Sequence, residues 1–216
     1  MPAPPTAPDL PESFESLVEP PSELRRLDLT GTVLDGLDLS EQPAQDLRIV
    51  ESRLENVDLF GADLRGLTLR DVRVEGGSWA TANAGSARLE RVELHGVRLT
   101  GAALPSATLV DVSLVDCRCD LASFRCAELL NVRFEGCRLE ESDFYEARLA
   151  SVLLTGCDLT EASLAGAVFE RSEMRGCTLT AVGNPERLRG VRMSIADAVR
   201  VADVLAAAVG IEIVED

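Results

Sequence analysis

The chain is 216 residues long, 46% apolar and 27% charged, with 37 acidic side chains against 21 basic ones, all of them Arg, and a formal net charge of −16. That balance disfavours direct binding to nucleic acid or to an anionic membrane surface. No apolar run approaches the length of a membrane-spanning helix and no basic-then-apolar leader opens the chain, so a cytoplasmic protein with one buried core is expected.

Residues 1–22 hold seven prolines among Ala, Glu and Ser. The composition reads as a segment that is largely disordered or polyproline-like, or that serves as a cap. Within it Phe14, Leu17 and Val18 recur at helical spacing, which suggests a plug over the open end of the next element.

From Leu29 to Leu179 an apolar residue returns at every fifth position without a slip. The series runs through Leu34, Leu39, Trp79, Phe124, Phe134, Phe144 and Met174, and only Ala44, Ala84 and Cys119 are small. Two residues before each stands a second, mostly smaller residue, as at Val57, Ala62, Val72, Ala102 and Ala127. None of these positions is charged, so both point into a dry interior where an unpaired charge is costly. A period of five fits neither a helix nor a flat strand and marks a repeat architecture. Two residues after the large apolar one, Gly, Asn and Asp are frequent, as at Gly61, Gly96, Asn56 and Asp111. Those types suit corners, because they tolerate positive φ or bond to their own backbone.

In this pattern the chain resembles the pentapeptide repeat family, with motifs such as Ala62-Asp63-Leu64-Arg65-Gly66 and Cys157-Asp158-Leu159-Thr160-Glu161. The resemblance implies an all-β solenoid over residues 23–182, a right-handed quadrilateral parallel β-helix with four repeats per coil. At about 4.8 Å between stacked strands, about eight coils make a rod on the order of 40 Å long. Side chains fill such a rod, which leaves no concave site for a small molecule.

Two stretches read poorly against the repeat. Gln42 to Gln45 includes Pro43, and Gly76 to Gly85 loses its large side chains around the only Trp. Local bulging is expected there, or a mobile loop that touches a partner. Cys117, Cys137, Cys157 and Cys177 are spaced by twenty, which places them on one face of successive coils as a ladder of reduced thiols. No His or CxxC pair accompanies them, so neither a metal site nor a cofactor is expected.

On the outside, Glu135, Glu140, Glu141, Asp143 and Glu146 concentrate negative charge. Val110, Val115, Leu121 and Leu130 are expected to point outward near one another. The five acids together with Val110 and Leu130 form the candidate partner surface. Residues 183–216 read as a cap. Gly183-Asn184-Pro185 marks a turn, Ser194 a helix N-cap with Asp197 three residues on, and Gly210 the end of a helix over 194–209. Its apolar residues are too many for one stripe, which assigns Val201, Val204, Leu205 and Ala208 to a homodimer contact. Ile211 and Ile213 then suggest a closing strand.

His95 is the only histidine and faces solvent in the repeat register. No catalytic set can be assembled around it, so a non-enzymatic protein is expected. Within the family, acidic unbroken rods that dimerise by C-terminal helices include the quinolone-resistance proteins, which occupy the DNA-binding saddle of type II topoisomerases. That resemblance implies a DNA mimic acting on DNA gyrase, with rows of Asp and Glu in place of phosphates; the abundant Arg and the proline-rich leader depart from that type. The alternative is a structural scaffold, or an interaction module for a different protein partner.

Overall fold

The computed structural model describes residues 2–213. Its plan is set at the corners: from Arg26 to Ala181 every fifth residue has positive φ, glycine or not. Left-handed backbone at that interval turns the chain sharply between short extended segments, and glycine, Asn and Asp lower the cost of the turn where they occur. Leu121 and Arg91 bear the same conformation without that help.

The extended segments are β1 (Glu15–Leu17), β2 (Asp28–Thr30), β3 (Thr32–Asp35), β4 (Arg48–Glu55), β5 (Thr68–Glu75), β6 (Arg88–His95), β7 (Thr108–Val115), β8 (Glu128–Glu135), β9 (Arg148–Ala150), β10 (Leu153–Thr155), β11 (Val168–Glu170) and β12 (Glu173–Arg175). Every pairing is parallel, and within the rod each residue meets the one twenty further on, as Leu69 meets Leu89 and Val72 meets Val92. The strands β4 to β8 each bend at a positive-φ residue in their middle and so cover two adjacent sides. The other two sides are stacked through single bridges such as Ser78 with Arg98 and Asn83 with Ala103. The result is a four-sided parallel β-solenoid, closed at one end by short helices.

Both residues of the repeat predicted to face inward do so through most of the rod; Gln42, at a small inward position, is exposed, and Leu27 and Leu29 of the first coil are only partly buried. Phe124, Phe134 and Phe144 fill the middle of the rod; the Phe124 and Phe144 rings stack with centroids 5.0 Å apart, and Phe134 meets Phe124 edge-on at 6.1 Å. Where serine takes the small inward position, its hydroxyl is satisfied by backbone. Ser172 Oγ donates to Leu149 O at 2.9 Å and accepts from Val152 N at 3.1 Å, which removes the penalty for burying it.

The two irregular stretches stay in register. Pro43 bridges Asp63, Ser78 bridges both Asp58 and Arg98, and Trp79 is 4% exposed. A loosened or mobile loop is therefore not what the Gly-rich stretch makes. Gly77 adapts instead: its φ is +83°, and a Cβ there would stand 2.2 Å from Val57 O. The coil thus closes up beneath the indole, beside an internal apolar cavity of about 20 Å³.

The ends depart from expectation in detail. The helical spacing of Phe14, Leu17 and Val18 yields no helix, because β1 finds an unpaired strand edge and pairs in parallel with β3. Leu17 packs on the core while Val18 is exposed. At the other end the single helix over 194–209 is two, α1 (Ile195–Arg200) and α2 (Ala202–Ala208). Ser194 caps α1 as expected, accepting from Asp197 N at 3.0 Å. The break falls at Val201, at φ −111° and ψ 29°, and the bend lets Val201 and Val204 both seat on the core. A short 3₁₀ turn, Pro185–Leu188, joins the last coil to this cap. Ile211 and Ile213 lie outside any strand and are exposed.

Candidate functional site

Neighbours on this surface are residues twenty apart, not five, and that rule redistributes the predicted partner surface. Glu135 ends β8; Glu140 and Glu141 lie at the next-but-one corner, beyond the Arg118–Arg138 bridge; Asp143 bridges Ser123 and Ser163 on a further side, with Glu146 past it. The five acids therefore spread over three sides instead of forming one patch. Three are also neutralised: Glu135 by Arg133 at 2.6 Å, Glu140 by Arg138 at 3.2 Å and Asp143 by Arg125 at 2.6 Å. Such exposed pairs are weak but they cancel local field. Glu146, hydrogen-bonded beside Tyr145, pushes that phenol up from its ordinary range.

The acids that do stack are elsewhere. Asp35, Glu55 and Glu75 stand in register on consecutive coils, and Asp38 meets Asp58 on the adjoining side. Like charges placed directly opposite destabilise a sheet, so strand pairing does not account for Asp35, Glu55 and Glu75, whereas Asp38 and Asp58 each accept the backbone N–H two residues on, from Ser40 at 3.0 Å and Phe60 at 2.8 Å. Sequence reasoning overlooked it because it counted acids along the chain; the visible signal was the interval of twenty. On the side of Asp38 and Asp58, later coils reverse sign, with Arg98, Arg118 and Arg138 stacked in turn. The first coils thus carry stacked acids on these edges, with the register partners Arg53 and Arg73 beside them, and the later coils stack arginines on the adjoining side.

Val110 and Leu130 are register partners on β7 and β8. Leu130 is 46% exposed, and with Ala150 and Val168 it lines a shallow groove of about 240 Å³ edged by Glu128 and Arg148. Val115 and Leu121 do not join it; one ends β7 on the neighbouring side and the other occupies a distant corner.

Of the residues assigned to a homodimer contact, Val201 and Val204 are 7% and 8% exposed and seal the chain's own last coil. Leu205 packs on the same core. Ala208 faces a concavity of about 760 Å³ between the last coil and the cap, lined also by Phe169, Pro185 and Val209. Among the described residues, the large apolar side chains that this end leaves exposed are Ile195, Val199 and Val209, with Ile211 and Ile213 beyond them. A hydrophobic excess along a helix was legible in sequence, but which part of it faces inward depended on the break at Val201.

The cysteine ladder is buried, with Cys126 alone exposed, and all six thiols are free. Cys137 Sγ donates to Leu114 O at 3.3 Å, and burial pushes the thiol of Cys119, at a large inward position beside the column, well up. His95 Nε2 is 3.7 Å from Glu93 Oε2 at the surface. Among the described residues no three His, Cys, Asp or Glu side chains gather as metal ligands, and no helix is long and apolar enough to cross a membrane.

A family model described as a pentapeptide repeat region matches residues 87–164. No curated protein matches the chain. Among solved structures, HetL, a pentapeptide repeat protein involved in heterocyst differentiation regulation in the cyanobacterium Nostoc sp. strain PCC 7120, is 19% identical, with 80% of this chain and 92% of HetL covered and a TM-score of 0.38. Full-length QnrB1, a plasmid-mediated fluoroquinolone resistance protein, is 18% identical with 83% and 98% covered and a TM-score of 0.44. A pentapeptide repeat protein of the Arabidopsis thaliana thylakoid lumen is 17% identical with 84% and 78% covered and a TM-score of 0.20. At these scores the likenesses carry no weight for role.

Proposed function

This chain is a pentapeptide repeat protein, and from that premise we propose that it is a non-enzymatic binding rod whose stacked acids on the first coils engage a basic protein surface, that of DNA gyrase. The observation that carries the proposal is the row Asp35, Glu55 and Glu75 with Asp38 and Asp58 beside it. Stacked at about 4.8 Å, these carboxylates form a closely spaced row of negative charge, and the like-charged register partners Asp35, Glu55 and Glu75 cost fold stability that binding can repay. The net charge of −16 adds long-range attraction to a cationic saddle. Dimerisation would use the exposed Ile195, Val199 and Val209 at the cap, since Val201 and Val204 are occupied.

The test is a gyrase supercoiling assay at low and moderate salt. Inhibition is expected, fading as salt rises, and Glu55→Gln with Glu75→Gln should weaken it while stabilising the rod. Absence of inhibition at low salt would end the gyrase reading.

A second reading rests on the groove at Leu130 and Val168, an apolar surface suited to a protein partner without charge steering. A partner retained at high salt and lost on Leu130→Asp would favour it over the acidic row.

A further inference from the structure

At the corner that bends β5 through β8, the residues on consecutive coils are Asp71, Arg91, Asp111 and Asn131, each with positive φ. They alternate acceptor and donor. Arg91 Nε and Nη2 reach the two Asp71 carboxylate oxygens at 2.6 and 2.7 Å, and Asn131 Nδ2 donates to Asp111 Oδ1. Each carboxylate is therefore held in place from one coil further on. Both accept one more donor, and that donor is the leader. Asp71 Oδ1 takes the N–H of Asp9 at 3.0 Å, Asp111 Oδ1 takes the N–H of Thr6 at 3.1 Å, and Asn131 Nδ2 reaches Pro4 O at 3.4 Å.

These three contacts are all to leader backbone. Thr6 and Asp9 are three residues apart, which in a polyproline helix of about 3.1 Å per residue is about 9 Å. Asp71 and Asp111 are two coils apart, again about 9 to 10 Å at the spacing of stacked strands. One turn of polyproline helix thus spans two coils of the rod, with the leader running against the coil order. Pro4, Pro5, Pro8 and Pro11 hold the segment extended and fall at positions that need no N–H, while Thr6 and Asp9 supply the two that are used. At the end of this run, the Phe14 ring lies 4.7 Å from the Arg53 guanidinium, just before β1. With the leader in place the Asp71 side chain is 5% exposed.

We propose that this corner is a docking groove for an extended, proline-punctuated protein segment with backbone N–H groups at every third residue, and that the leader is its resident occupant, displaced when a partner's segment of the same chemistry enters. Because these hydrogen bonds go to main-chain atoms and not to leader side chains, the pattern of prolines and free N–H groups is what the groove selects. The groove is independent of the acidic row and of gyrase, since its residues lie on another edge of the rod.

The test keeps the full chain. Thr6→Pro with Asp9→Pro removes both donors and leaves the rod untouched. A fluorescent peptide of residues 2–13 should bind this variant at least tenfold more tightly than the wild type, whose own leader competes at high effective concentration. The same peptide with both substitutions should bind neither. In the wild type, the Thr6 and Asp9 amides should exchange slowly, and Asp71→Ala with Asp111→Ala should make them fast. Equal affinity for the two chains, no binding to the variant at millimolar peptide, undiminished binding by the substituted peptide, or fast exchange in the wild type would each overturn the proposal.

Discussion

Gly77 and Gly96 are a matched pair for measuring how closely the coils approach. Both have positive φ, at +83° and +62°, but a Cβ on Gly96 meets nothing within 4 Å, whereas on Gly77 it would stand 2.2 Å from Val57 O and 2.8 Å from Val57 N. Gly96→Ala should cost only the left-handed strain, about 1 to 2 kcal/mol, less about 0.4 to 1 kcal/mol regained by restricting the unfolded chain. Gly77→Ala carries the same strain and must also push two coils apart by close to an ångström. That movement strains Ser78 N to Val57 O at 3.2 Å and Arg98 N to Gly77 O at 3.1 Å, each worth about 1 kcal/mol. The expected cost is about 3 kcal/mol, well beyond that of its partner. Urea unfolding followed by the fluorescence of the sole, buried Trp79 reads it directly, two residues from the change. Equal midpoints for the two variants would refute the reasoning and mean that the coils separate freely at this point.

The cysteines and one clasped carboxylate give two further expected outcomes. A thiol reagent should titrate one cysteine in the native protein, Cys126, and all six only after unfolding; several rapid thiols would contradict the buried ladder. Asp63 is clasped by Arg65 at 2.7 and 2.5 Å and by Gln45, which together lower its pKa from 3.8 to about 2. A depressed carboxylate stabilises the fold above its unfolded pKa and loses that contribution as pH falls through the folded one. The melting temperature should therefore drop between about pH 4 and pH 2, and less steeply in Asp63→Asn; identical slopes would show that the clasp contributes nothing.

The repeat was legible because its signal is local and redundant. Every large apolar residue from Leu34 to Leu179 meets the same environment, so Leu64 and Phe144 obey one rule, and errors at Pro43 or Trp79 are overruled by the coils above and below. The candidate surface was legible only in part. Val110 and Leu130, twenty apart, do meet, but Glu135, Glu140 and Asp143 were grouped by closeness along the chain, and each corner between them sends the next residues to a different side. Glu55 and Glu75 went unnoticed for the converse reason.

The five-residue period by itself determined a repeat architecture, its interior and its corners, since each depends on a residue's place within one repeat, and the family resemblance turned that repeat into a solenoid. The tertiary structure decided the features outside that period. It set which charges stack, which depends on coil circumference. It also put Val201 and Val204 on the core instead of toward a second copy, which depends on where a helix bends to fit the last coil. Last, it laid the leader against Asp71 and Asp111, a contact across more than sixty residues that no local pattern encodes, because it arises from two unrelated spacings, a polyproline turn and a pair of coils, being nearly equal.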